Sequence, residues 1–204
     1  MAGIWRRRAG RFQETSARRW TKSPTEYLHS LGSPAHHEES DRAAHPSGAL
    51  VGQACHKVLA FWDLRGRGDL DAAVKSACLA LRMSSPDADW LAVRQETLEL
   101  LRGFLSSAAA RELSQAEILA REAPFIYEHD GAVMRGTIDL VYRLGGKVMV
   151  ADYKSEPGPA GGLERLREKY RGQGQAYCAA VEKAWKLKVA GFRLIFLRRG
   201  SGAS

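Results

Sequence analysis

Residues 121–155 read REAPFIYEHDGAVMRGTIDLVYRLGGKVMVADYKS. Runs rich in β-branched and aromatic residues are cut there by two dipeptides, Asp130-Gly131 and Gly145-Gly146. The central positions of a two-residue hairpin turn need positive φ, which glycine adopts freely and aspartate tolerates. The stretch therefore predicts strands at about 121–128, 133–143 and 147–154, joined as an antiparallel meander.

The turns also set the register, because paired residue numbers in a hairpin have a constant sum. Around Gly145-Gly146 this sets Asp139 opposite Asp152, and around Asp130-Gly131 it sets Glu122 opposite Asp139. Three acids then stand in one row across three strands. Lys154, two residues beyond Asp152, shares their face. Directly opposed residues have Cβ atoms about 5 Å apart, and like charges there destabilise a sheet. Such a row calls for a divalent cation or for a proton shared between two carboxylates. Oxygen donors beside a lysine suit Mg²⁺ better than zinc, and an Mg²⁺ that keeps its waters can bind and hydrolyse a phosphodiester. The plain alternative is that these acids lie on a wet sheet face. Against it, the strand VMVADYK is apolar up to Ala151, as a central strand would be. A one-residue bulge in either hairpin would undo the row.

Helices are expected on both sides of this meander. In SGALVGQACHKVLAFWDL, Leu50, Val51, Ala54, Val58, Leu59 and Phe61 or Trp62 recur at helical spacing. Residues 69–82 read as a second helix. A third is expected to start at Ser85-Pro86-Asp87, with Ser85 as N-cap, and to carry the stripe Trp90, Leu91, Leu98, Leu101, Phe104 and Leu105. After Pro157-Gly158-Pro159, a long helix over about 162–186 has the stripe Leu163, Leu166, Tyr170, Gln173, Tyr177 and Val181. Gln173 breaks an apolar pattern. It either points at the acidic row or a DNA backbone, or lies hydrated at the stripe's edge. VAGFRLIFLRR makes a last strand. Helices, three strands, a helix and a strand give an α/β (α+β mixed-sheet) layer.

Hydrophobic residues make up 45% of the 204 and charged residues 26%, the balance of a globular domain with room for a tail. The formal net charge of +8 favours an anionic partner, nucleic acid or a membrane surface. Seven basic residues stand before residue 23 against one acid, Glu14. They are followed by the Ser/Pro/His-rich stretch SPAHHEESDRAAHPSG with His36, His37 and His45. Residues 1–46 are thus expected to be a basic disordered tail, 47–199 the domain, and 200–204 a flexible end. Cys55, Cys78 and Cys178 have no CxxC spacing, which argues against a disulfide framework or structural zinc. No apolar run is long enough to span a membrane, and no apolar segment follows the N-terminal charges as a secretory signal requires. The expected compartment is the cytoplasm, at the nucleoid in a bacterium.

Five segments, in this order, resemble the PD-(D/E)XK nuclease superfamily, and more narrowly the C-terminal nuclease domain of the RecB and AddA helicase–nucleases. They are GALVGQACHKVL with His56, REAPF with Glu122, RGTIDLVYRL with Asp139, VMVADYKS with Asp152 and Lys154, and Tyr170-x-x-Gln173-x-x-x-Tyr177. The resemblance implies a restriction-endonuclease-like core, N-terminal helices followed by β-β-β-α-β. It implies Asp139 and Asp152 as metal ligands approached by His56, Glu122 completing the acidic cluster, and Lys154 assisting attack on the phosphate. Tyr170, Gln173 and Tyr177 would bind DNA or support the site. Mg²⁺ is the implied cofactor, with Mn²⁺ as a substitute. No cysteine quartet flanks the domain, which argues against an iron–sulfur cluster. Ser155 stands where threonine is common. The implied activity is deoxyribonuclease, exonucleolytic or endonucleolytic, leaving 5′-phosphate and 3′-hydroxyl ends, in DNA repair and recombination. No GxxxxGK[ST] motif occurs, so the implied helicase is a separate polypeptide or a missing N-terminal region. A catalytically inactive DNA-binding scaffold of the same fold is the main alternative. An unrelated basic module is the third.

Overall fold

A computed structural model describes residues 46–129, 132–157 and 163–198. The basic N-terminal segment, His36, His37, His45 and the Asp130-Gly131 dipeptide lie outside the described residues. So do the side chains of Leu163 and Leu166. The elements are α1 (Pro46–Leu59), α2 (Leu70–Arg82), α3 (Trp90–Leu105), α4 (Ala108–Ser114), β1 (Glu117–His129), β2 (Ala132–Leu144), β3 (Lys147–Pro157), α5 (Leu163–Trp185) and β4 (Val189–Arg198). The expected β-β-β-α-β order holds.

The helix starts show where local chemistry decides. Asp69 caps α2 through a bond from the Ala72 amide to its carboxylate, and Ser107 caps α4 by accepting from Ala110. Helix α3 differs from expectation. It starts at Trp90, and Asp89 rather than Ser85 is its N-cap, accepting from the Leu91 and Ala92 amides. The Ser85 carbonyl is engaged instead by the Ala88 amide in a turn and by the Trp90 indole N–H at 3.0 Å. A carboxylate carries a full charge to the helix's positive end, so Asp89 is a strong cap there. The buried stripe is Val93, Thr97, Leu98, Leu100, Leu101 and Phe104, whereas Leu91 in the first turn is exposed. At the end of α1 it is Trp62, not Phe61, that turns inward. Helix α4 fills a stretch for which the sequence suggested no element.

The four strands lie in the order β1-β2-β3-β4, with β4 parallel to β3 and the other pairs antiparallel. Two apolar layers sandwich the sheet. Helices α1 to α4 pack on one face with Leu140, Tyr142, Ala151, Tyr153, Ile195 and Leu197. Helix α5 packs on the other with Phe125, Met134, Val141, Val148, Val150 and, from β4, Phe192. Two glycines allow close approach. A Cβ on Gly174 would lie 2.5 Å from the Phe192 ring, and one on Gly52 would lie 2.7 Å from Ser155 Oγ. Helices α5 and α1 therefore rest directly on the ends of β4 and β3 that flank Asp152. Cys55 and Cys78 are buried, Cys178 is half-buried, and all three are free. Among the described residues no helix is long and apolar enough to cross a membrane.

The register follows the turns, with one instructive break. Leu144 faces Lys147 and Leu140 faces Ala151, so the β2–β3 ladder is regular up to the residues just before Asp139 and Asp152. On β1, Arg121 faces Leu140 and Ala123 faces Ile138, which brackets Glu122 against Asp139. At that point the in-out alternation slips. Ala120 and Ala123 belong to the same layer, as do Ile138 and Val141. In a regular strand, residues three apart point to opposite faces. The slip is written in the backbone, since Glu122 has φ 45°, the left-handed region that L-residues rarely adopt. A second irregularity lies between Ile118 and Ala120.

Candidate metal-dependent nuclease site

Among the described residues the buried polar side chains are Thr97, Asp139 and Asp152. Thr97 bonds back to the Val93 carbonyl within its own helix. The two aspartates are thus the buried acids, and they sit on adjacent strands one step past the last β2–β3 pair.

The pairs on either side of the acids keep the expected register, but no regular pair joins Asp139 to Asp152, and the acids divide into two groups instead of standing in one row on one face. On the α1 side, ligand atoms of His56, Glu122 and Asp139 all lie within 4.8 Å of one another. His56 Nδ1 is 3.3 Å from Asp139 Oδ1. Asp139 Oδ2 accepts the Tyr153 amide N–H at 2.7 Å, which ties β2 to β3 just where their regular ladder ends. The Tyr153 ring meets the His56 ring edge-on at 6.2 Å and Phe104 at 5.8 Å. Gly52 stands one helical turn before His56, so the close approach of α1 to β3 also brings this imidazole down to the strands.

On the α5 side, Asp152 faces Lys154 and Gln173. Lys154 Nζ is 2.9 Å from Asp152 Oδ2. Gln173 Nε2 donates to Asp152 Oδ1 at 3.0 Å and to the Tyr177 hydroxyl at 2.8 Å. Gln173 therefore points at the acidic row rather than lying hydrated at the stripe's edge. Tyr177 is held edge-on between Phe125 and Phe192, with ring centroids 5.6 and 6.0 Å away. Asp152 stands outside the His56–Glu122–Asp139 triplet, because Lys154 and Gln173 hold its oxygens. Its buried Oδ2 has the lysine beside it but accepts no well-directed hydrogen bond.

The electrostatics follow from crowding acids in a partly dry place. Burial raises the Asp152 carboxyl well above the ordinary range; Lys154 pulls it back and Asp139 pushes it further up. Desolvation and then the Asp139 charge raise Glu122. For His56, burial works toward a lower value, but the Asp139 hydrogen bond and the neighbouring acids outweigh it and the imidazole is raised. Burial, then the Asp152 charge, keeps Tyr177 protonated through the physiological range.

These donors fit a hard divalent cation. Carboxylates dominate, one imidazole joins them, and Asp152 brings a second buried carboxylate close by. Two contributors escaped the sequence reading. Tyr153 lies on the opposite face from Asp152 by alternation, which could have marked it as a support for α1. Glu156 continues the Asp152–Lys154 face by two residues, and its carboxylate accepts a hydrogen bond from the Tyr170 hydroxyl.

A mixed sheet sandwiched between helices, with buried acids on adjacent strands and a lysine two residues past the second, defines a class of metal-dependent nucleases. The chain belongs to the PD-(D/E)XK nuclease superfamily, whose family model matches residues 15–202. It is similar to an ATP-dependent helicase/nuclease subunit of Heliobacterium modesticaldum, with 32% identity over 171 residues. That match takes in 72% of this chain and 12% of the relative. The proteins of the same description from Streptococcus suis and Desulforudis audaxviator are 28% and 26% identical, each over 74% of this chain. The chain thus spans only 12% to 13% of the length of these relatives.

Proposed function

We propose that this chain is a Mg²⁺-dependent deoxyribonuclease that hydrolyses DNA phosphodiester bonds in repair and recombination, with Mn²⁺ as a substitute ion. It works beside a helicase, in the cytoplasm and at the nucleoid in a bacterium. The observation that carries the reading is the buried pair Asp139 and Asp152, with Lys154 Nζ 2.9 Å from Asp152. Two buried acids on adjacent strands are costly unless positive charge offsets them.

Asp139, His56 and Glu122 would hold the cation from the α1 side, and Asp152 Oδ2 from the α5 side. A divalent cation held there supplies charge that binds the phosphate and makes water a better nucleophile at neutral pH. Lys154 sets a positive charge where negative charge builds on the phosphate as it is attacked. Gln173 fixes the rotamer of Asp152, and Tyr177 fixes Gln173. The net charge of +8 supports binding to the DNA backbone, with an affinity that falls steeply as salt rises.

The test is cleavage of single- and double-stranded DNA with Mg²⁺ against EDTA. Cleavage should require the ion and vanish in both Asp152→Ala and Lys154→Ala. Undiminished cleavage by either variant would overturn the mechanism. DNA binding without cleavage under any divalent ion would turn the reading to a scaffold domain.

A further inference from the structure

Lys154 has a second neighbour that the nuclease reading does not use. Its ammonium lies 4.5 Å from the centroid of the Tyr170 ring, while Asp152 Oδ2 is 2.9 Å away. Tyr170 is buried on the sheet-facing side of α5. Its hydroxyl donates to Glu156 Oε1, on the strand that carries Lys154. Lys169 Nζ lies 3.8 Å from the same Glu156 oxygen and 5.0 Å from the Tyr170 centroid. Strand and helix are thus tied together around one aromatic ring, and the lysine ammonium rests against it.

We propose that Tyr170, anchored by Glu156, is a positioning residue that seats the Lys154 ammonium against its ring at the acidic row. The proposal rests on the nuclease reading for its catalytic consequence. The physical need is specific. Asp152 alone holds Lys154 only while its charge is free to attract the ammonium, and a cation shared with Asp152 would weaken that hold and repel the lysine. The face of an aromatic ring attracts an ammonium without competing for the cation, because the ring is neutral and acts through its quadrupole. A flexible four-carbon stem would otherwise let the charge wander from the phosphate. Glu156 fixes the ring's position along the strand and balances Lys169, so that the second lysine does not repel the first.

The full chain, labelled with ¹³C-lysine, gives a readout that does not depend on activity. A lysine ε-methylene over an aromatic face is shifted upfield by the ring current. The Lys154 signal, assigned by its loss in Lys154→Met, should be upfield of the lysines other than Lys169 and Lys183, which also lie over rings, in the wild-type chain and in Tyr170→Phe. In Tyr170→Leu it should move to the common position. With Mg²⁺ and an oligonucleotide, Tyr170→Leu should lose about ten-fold in kcat with KM unchanged, and Tyr170→Phe should recover most of the loss. Glu156→Ala, which takes away the same anchor as Tyr170→Phe, should match it, and Tyr170→Met tests the ring contact if Tyr170→Leu does not fold.

An unshifted Lys154 signal in the wild-type chain overturns the proposal. So does a wild-type kcat in folded Tyr170→Leu, or a Tyr170→Phe as impaired as Tyr170→Leu. If the wild-type chain cleaves nothing with any divalent ion, the nuclease reading falls, and the ring-current comparison alone decides whether the ring seats the lysine.

Discussion

The two ends of the acidic row are built in opposite ways. At the Asp152 end the strand is regular, paired with β4, buried, and covered by α5, whose Gln173 and Tyr177 hold the carboxylate. At the Glu122 end the strand itself is distorted, with φ 45° at a residue that has a Cβ. There the partner comes from the other layer, as His56 on α1. One carboxylate is positioned by packing, the other by a local departure from the strand. The difference teaches that a sheet can present neighbouring acids to two different helices only by breaking alternation once, and here the break coincides with the acids.

The sharpest contrast should appear in cleavage. Asp152→Ala removes a buried charge with fixed partners and should cost about 10³-fold or more in kcat. Glu122→Ala should cost less, about ten-fold to a hundred-fold, and mainly as a higher Mg²⁺ requirement. Equal losses in a Mg²⁺ titration of both variants would remove the distinction between the two ends.

Gly174→Ala tests the packed end at a distance from the chemistry. A methyl group 2.5 Å from the Phe192 ring must push α5 off β4. A loss of about 1–3 kcal/mol in urea unfolding is expected, with weakened cleavage as Gln173 draws back from Asp152. Unchanged stability would mean that α5 is not seated as closely as its contacts indicate.

The pH dependence joins the ends. Asp152, Glu122 and His56 are all raised in the folded chain. Each group therefore contributes stability that is complete below its unfolded value and is lost as pH rises through its folded value. For the carboxylates the loss begins above about pH 4, and for His56 above about pH 6.5. Without a divalent ion, these groups make the fold less stable at pH 8 than at pH 5.5. Mg²⁺ or Mn²⁺ should accordingly raise Tm more at pH 8, by a few degrees in thermal melts. An equal rise at both values would place the ion elsewhere.

The smallest effect belongs to the distorted strand. Glu122→Gly removes a Cβ from a left-handed conformation and should add about 1 kcal/mol of stability while weakening the response to Mg²⁺. A variant that is less stable than the wild type would show that the carboxylate's contacts outweigh the backbone cost.

Much of this was legible in the chain. The Gly145-Gly146 turn, with both glycines at positive φ, sets the β2–β3 register by itself. The helix expected over 69–82 is α2, whereas α3 starts later than expected because Asp89 rather than Ser85 caps it. Other features were out of reach. Nothing in the sequence around Glu122 announces a positive φ, since glutamate has no preference for it. The approach of Tyr153 to His56 joins residues far apart in the chain.

Local chemistry therefore determined the strands, the Gly145-Gly146 turn and the register on either side of Glu122, Asp139 and Asp152. Hairpin register depends only on residues a few steps apart. Tertiary structure decided which helix each acid meets, the parallel seat of β4, and the placing of His56, Gln173 and Tyr170 around the row. Those depend on how closely two helices approach a sheet, and that closeness is set across the fold by Gly52 against Ser155 and Gly174 against Phe192.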